Sequence, residues 1–100
     1  MDKRRPHYSL RDIQKLVVVK GCDTFTLTAV TNARLMGLSA DQSVAVIASL
    51  TSAMFYKSMT TLHDSSVWQD VYHAPTPVGR IAYIKITMQE GAVVIQFKEK

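Results

Sequence analysis

The spacing of hydrophobic residues divides the chain into a helical first half and an extended second half. Apolar residues recur at helical intervals from Leu10 to Val17, after a serine that suits an N-cap and before Gly21, which suits a helix end. This spacing predicts a helix over about residues 10–20. Residues 23–25 are expected to form a short extended piece at most.

Two more helices are predicted before the pattern changes. Thr26 or Thr28 can cap a short second helix, which the glycine that follows it ends. Ser39 and Gln42 have the spacing of a capping box, in which each side chain bonds the other residue's backbone amide. A third helix is therefore predicted from there to about residue 52.

From residue 54 onward the hydrophobic period is two, which is typical of β-strands with one buried face. Strands are predicted over residues 54–61, 66–73, 80–89 and 92–98. The short turns between them favour antiparallel pairing. Helices followed by strands predict an α+β domain, with the N-terminal helices packed on one face of a C-terminal, mainly antiparallel twisted sheet. We expect residues 1–100 to form one domain, with Trp68 as an anchor of its core.

Alternation along the predicted strands gathers long polar side chains on one face of the sheet. Tyr83 and Lys85 alternate with apolar neighbours, so they point away from the predicted core. The simplest arrangement adds Lys57, Gln69 and Lys98 to the same face. A face of this kind suits the binding of phosphate. An ordinary solvated face of an antiparallel sheet gives the same pattern, and alternation alone leaves both interpretations open.

Composition narrows the possible partners and the compartment. Twelve Lys and Arg against eight Asp and Glu give a formal net charge of +4, which makes an anionic partner plausible. A single cysteine, Cys22, favours a reducing compartment, and no signal or membrane-spanning segment is predicted, so we expect a cytoplasmic protein. His7, His63 and His73 lack metal-ligand spacing, so no metal and no cofactor are expected.

Two sequence blocks lie in the predicted strands, FYKSMTT at residues 55–61 and WQDVY at residues 68–72. These blocks resemble the MqsR family of toxins from bacterial toxin–antitoxin pairs. The resemblance extends to YIKIT at residues 83–87 and FKEK at residues 97–100, so it covers nearly the whole chain. It implies a RelE-like fold and a type II toxin: a metal-independent, sequence-specific endoribonuclease that cleaves mRNA at GCU-like sites without needing the ribosome.

The resemblance also implies a partner and a set of site residues. The partner would be an MqsA-like antitoxin with a zinc-binding domain and a helix-turn-helix domain that binds DNA. The implied catalytic residues are Lys57, Gln69 and Tyr83. The candidate substrate-binding residues are Met59, Lys85, Lys98, His73 and Arg80.

Two departures from the family pattern lead to further expectations. Between Gly79 and Tyr83 the chain has one more residue than the pattern, which predicts a bulge before Tyr83. His73 stands where the pattern has arginine, which predicts an altered or pH-dependent contact with RNA.

RNA cleavage without a metal is chemically compatible with these residue types. The 2′-hydroxyl of RNA can attack the neighbouring phosphate, and a lysine can stabilise the negative charge that develops. A tyrosine can take part in proton transfer, and a glutamine can orient the phosphate or a base. One alternative uses the same basic sheet face: a non-catalytic module that binds RNA or an antitoxin. A third interpretation is a protein-interaction domain that does not bind RNA.

Overall fold

Side-chain caps start the three helices of the computed structural model, which describes residues 1–100. The hydroxyls of Ser9, Thr26 and Ser39 each accept a hydrogen bond from the backbone amide three residues further on. Thr26, and not Thr28, is therefore the cap of the second helix. The helices are α1 (Leu10–Lys20), α2 (Leu27–Leu35) and α3 (Ala40–Ala48), with 3₁₀ turns at Gly21–Thr24 and Ser52–Met54.

Four strands from the second half of the chain and one short strand from the N-terminus form a five-stranded sheet. The strands are β1 (Asp2–Lys3), β2 (Phe55–Thr60), β3 (Trp68–Pro75), β4 (Ile81–Gln89) and β5 (Ala92–Glu99). They lie side by side in the order β1-β2-β3-β4-β5, and every pair is antiparallel. The predicted α+β arrangement is confirmed.

The helices cover one face of this sheet, which we call the inner face. Ile84 and Ile86 of β4 and Ile95 of β5 point into the core there, each at most 1% exposed. Val17 of α1 and Ile47 of α3 are both 0% exposed, as expected for core residues. The opposite face, which we call the open face, is left free of helices.

Several element boundaries differ from the prediction. Helix α3 ends at Ala48, before the predicted end, and strand β3 continues to Pro75, beyond its predicted end. Residues 21–24 form a 3₁₀ turn instead of an extended piece, although Phe25 makes a parallel bridge to Ile95. Strand β1 was not predicted, because two residues carry no periodic signal.

Trp68 is not the core anchor that the sequence suggested. It is only partly buried and lies outside the core cluster, at the end of the inner face that the helices do not reach. His7 stacks on its ring at 5.4 Å between centroids, and the Lys3 Nζ atom lies 4.2 Å from the ring centroid. The N-terminal segment therefore covers this part of the sheet in place of a helix.

Asp70 fastens that segment to the sheet. Its buried carboxylate accepts hydrogen bonds from the backbone amides of His7, at 3.0 Å, and Tyr8, at 2.9 Å. The Ser58 hydroxyl donates a third bond to it, at 2.6 Å. A buried carboxylate is tolerated when donors of this kind satisfy its oxygens.

The bulge predicted before Tyr83 is wrong. The pairing of β3 with β4 runs without a break from Pro75 opposite Ile81 to Asp70 opposite Ile86. The Thr76 hydroxyl closes the turn of residues 76–80 before β4 by donating to the Arg80 carbonyl at 2.6 Å. The irregular register lies in β2 instead, just before Lys57.

Candidate active site

One row of side chains crosses the middle of the open face. Lys57 of β2, Val71 of β3, Lys85 of β4 and Gln96 of β5 stand opposite one another in the strand register. Val71 is 0% exposed although it lies outside the helix-packed core cluster, so longer side chains around it close over it. The two lysines flank Val71 from neighbouring strands, with backbones roughly 10 Å apart. Both ammonium groups can thus approach one anion above Val71.

A second row lies beside the first and is aromatic. His73, Tyr83 and Lys98 stand opposite one another on β3, β4 and β5. The His73 ring lies 5.2 Å from the Tyr83 ring and stacks on Tyr56 at 4.5 Å between centroids. The Lys98 Nζ atom lies 5.2 Å from the Tyr83 ring centroid. These contacts hold the Tyr83 ring between an aromatic neighbour and a cation.

A third row lies on the other side of Val71. Gln69 of β3 and Met59 of β2 stand opposite each other, and both are partly buried. Asp2 of β1 stands opposite Met59, and its Oδ2 atom lies 3.4 Å from the Nζ atom of Lys57. The structure thus brings Lys57, Gln69 and Tyr83, the residues predicted to be catalytic, around one point. It adds Asp2, an acidic neighbour that the sequence analysis did not predict there.

The surroundings of His73 lower the pKa of its imidazole. Burial lowers its pKa, and the nearby charge of Lys100 lowers the pKa further. Its Nε2 atom is buried and has no hydrogen-bond partner in the chain. His73 therefore contributes a stacking ring to the open face at this position.

Arg80 does not join the other predicted substrate-binding residues. Its Nη1 atom donates to Glu99 Oε1 at 2.8 Å, in an exposed ion pair at the end of the sheet. Arg80 precedes β4 and lies in the turn, two residues before Ala82, whose side chain is in the core. Met59, Lys85, Lys98 and His73 do lie on the open face.

Two grooves run across this surface. The first has a volume of about 400 Å³ and lies between α2 and β5, next to Tyr83. The second has a volume of about 820 Å³ and lies beneath the loop that joins β2 to β3, next to Gln69. Lys85 and Gln96 line both grooves, so the two grooves meet in the central row. An extended chain can therefore cross the face perpendicular to the strands.

The chain has no cluster of metal-binding side chains, and its one thiol does not line either groove. No three His, Cys, Asp or Glu side chains stand close enough to hold a metal ion. The one thiol, Cys22, is partly buried, with its Sγ atom 3.7 Å from the Ala40 carbonyl oxygen. None of the three helices has the length and apolar character needed to cross a membrane.

The chain has helices on one face of an antiparallel sheet and lysine, glutamine and tyrosine side chains on the other. With these features it belongs to a known class of toxins. The sequence profile of that family, described as motility quorum-sensing regulator, toxin of MqsA, matches residues 5–99. The chain belongs to this family, and the resemblance stated from its sequence motifs is confirmed. It is also 42% identical over 100 residues to the mRNA interferase toxin MqsR of Escherichia coli (strain K12), a match that covers all of both chains.

Proposed function

We propose that this chain is the toxin of a type II toxin–antitoxin pair and an endoribonuclease that cleaves mRNA on the open face of its sheet. One observation carries the location of the site: the strand register that gathers Lys57, Gln69 and Tyr83 around Val71. Membership of the toxin family supports the activity, as does the full-length relative named as an mRNA interferase.

The reaction needs no group from outside the RNA and the protein. The 2′-oxygen attacks the adjacent phosphorus, and the bond from phosphorus to the 5′-oxygen breaks. The 2′-hydroxyl gives up its proton, and the leaving 5′-oxygen receives one. The products are a 2′,3′-cyclic phosphate and a 5′-hydroxyl. A protein accelerates this reaction by stabilising the charge on the phosphate and by moving the two protons.

The side chains of the open face divide these tasks. Lys57 and Lys85 stabilise the extra negative charge on the phosphate from either side of Val71. Tyr83, fixed between His73 and Lys98, carries a phenol that can donate to the phosphate or take part in proton transfer. Gln69 orients the phosphate or a base edge with its amide. The rings of Tyr56 and His73 offer a surface on which a base can stack.

The proposal includes a partner, a cleavage preference and a location. An MqsA-like antitoxin, with a zinc-binding domain and a helix-turn-helix domain, would neutralise the toxin. GCU-like sequences would be the preferred sites in mRNA, and Met59 would contribute to substrate binding beside Gln69. The cytoplasm would be the location, since mRNA is found there.

Incubation of the purified protein with a defined RNA in EDTA tests the activity. We expect discrete cuts whose 5′ fragments end in a 2′,3′-cyclic phosphate and whose 3′ fragments begin with a 5′-hydroxyl, as read by end-specific labelling. Intact RNA with a mobility shift would instead identify a non-catalytic RNA-binding module. Intact RNA without a shift would identify a protein-interaction domain.

A further inference from the structure

We infer that the groove between α2 and β5 is a binding pocket for one nucleobase of the RNA, next to the cut, and that its uncharged side chains determine which base is accepted. Because this inference rests on the proposed function, it names a specificity site for the same reaction. Its volume of about 400 Å³ lies within the usual range of small-ligand sites, roughly 300–1,000 Å³.

The chemistry of the groove changes from one end to the other. Lys85, Lys98 and Tyr83 line the end that borders the proposed catalytic residues. The other end, formed by α2, is lined by uncharged groups: Thr26, Thr28 and Asn32. Gln96 lies between the two ends, beside Lys98 on β5 and opposite Lys85. A nucleotide has the same polarity, with a charged phosphate at one end and a neutral base that hydrogen-bonds at the other. A phosphate beside the lysines therefore places a base among the neutral side chains.

Backbone contacts hold the neutral end rigidly. The Thr26 amide donates to the Ile95 carbonyl at 3.0 Å, and the Asn32 side-chain amide donates to the Phe97 carbonyl at 3.0 Å. These two bonds fix the first turns of α2 against the outer edge of β5. A site on fixed elements discriminates between ligands better than a site on a mobile loop, because its groups are already in position.

Several hydrogen-bonding groups of the pocket are left without partners in the chain. Thr28 and Gln96 are exposed, and neither side chain bonds to another residue. Asn32 uses its NH₂ group on β5, so its Oδ1 atom stays available as an acceptor. Ala29 and Phe97 supply apolar lining. Donors and acceptors around an apolar surface are what the edges and faces of a base require.

Gln96 has a special position, because it lines both grooves and stands opposite Lys85 in the central row. A base in the α2 pocket and a phosphate on the lysines would thus be neighbours along one strand of RNA. The strand would continue through the second groove, past Gln69, toward the β2–β3 loop.

Thr28→Val and Gln96→Met test the pocket, because each removes the hydrogen-bonding group and keeps the approximate shape. Each variant cuts, in EDTA, a set of RNAs that differ only in the nucleotides flanking the cut, and the relative rates are measured. We expect the ratio of rates between preferred and disfavoured RNAs to fall about 2- to 10-fold, as for the loss of one hydrogen bond. Thr31→Val, on the exposed surface of α2 outside the groove, should keep the wild-type ratios.

Unchanged ratios in both pocket variants, with wild-type cleavage intact, would overturn the pocket and leave the proposed function standing. Weaker antitoxin binding with unchanged ratios would also overturn it, since the pocket would then be a protein contact. Absence of cleavage by the wild-type protein would instead contradict the proposed function itself. Thermal melting of each variant confirms that the compared proteins are folded.

Discussion

The same strands contribute to the hydrophobic core on the inner face of the sheet and to the candidate active site on its open face. On β4, Ile84 is 0% exposed against the helices, while its neighbours Tyr83 and Lys85 lie partly exposed on the open face. Alternation along a strand makes this division possible, because successive side chains point to opposite faces. A residue that stabilises the core is thus followed directly by one that faces the candidate site. Substitutions at neighbouring residues should therefore affect either stability or RNA cleavage.

Two adjacent residues of β3 are exceptions to this division into an apolar inner face and a polar open face. Asp70 is a charged residue buried on the inner face, and Val71 is an apolar residue buried on the open face. Backbone amides of the N-terminal segment satisfy Asp70, and long polar neighbours cover Val71. What covers a residue decides its burial, so polarity alone does not identify the functional face.

The largest expected contrast in stability compares Ile84→Ala with Lys85→Met. Ile84→Ala leaves a cavity in the core and should lower the free energy of unfolding by about 2–5 kcal/mol. Lys85→Met keeps the aliphatic stem that helps cover Val71, so its free energy of unfolding should stay within about 0.5 kcal/mol of wild type while RNA cleavage falls. Urea titration and a cleavage assay measure both quantities. Equal losses of stability would show that the open face is also structural.

A smaller effect is expected from Asp2, which pairs with Lys57 at 3.4 Å on the open face. Because both side chains are partly solvated, such a pair is worth about 0.2–1 kcal/mol. Asp2→Asn should therefore tighten RNA binding about 1.4- to 5-fold at low salt, and less at high salt. Asp41→Asn, which makes the same change of net charge on α3, is the matched control. Equal effects of both variants would show that only the net charge matters.

The smallest expected effect is a pH dependence from His73. Its pKa in the folded chain is lowered, first by burial and then by Lys100, so the unfolded chain binds a proton more readily. The contribution of His73 to stability is therefore complete above its ordinary pKa of about 6.5 and is lost as the pH falls through the folded pKa. His73→Gln should make the free energy of unfolding fall less steeply as the pH is lowered below about 6.5. Identical slopes in the two proteins would contradict the lowered pKa.

The polar face could be predicted from the sequence because it depends on alternation, which is a local property. One face that holds Lys57, Gln69 and Tyr83 was the simplest arrangement, but the register that brings them together could be read only from the strand pairing. The family resemblance supplied the identity of the site residues, which the strand pattern alone did not. Arg80, which the sequence placed at the start of a strand, lies instead in the turn before β4, where it pairs with Glu99.

Contacts between distant parts of the chain could not be predicted in the same way. The bonds from Asp70 to the amides of His7 and Tyr8, and the approach of Thr28 to Gln96, join segments more than 60 residues apart. Backbone amides carry no signal in the sequence that indicates such a partner. The α2 pocket was therefore visible only once the helix was placed against β5.

The most direct test of an active site on the open face compares the removal of one charge there with the removal of one charge elsewhere. Lys57→Met keeps the side-chain stem and removes the ammonium group, while Lys15→Met makes the same change on exposed α1. The cleavage rate of saturating protein on one defined RNA in EDTA is measured for both variants, after melting curves show that they are folded. We expect Lys57→Met to be slower than Lys15→Met by about 10²–10³-fold, the usual effect of removing one group that stabilises transition-state charge. Equal rates for the two variants would contradict an active site on the open face.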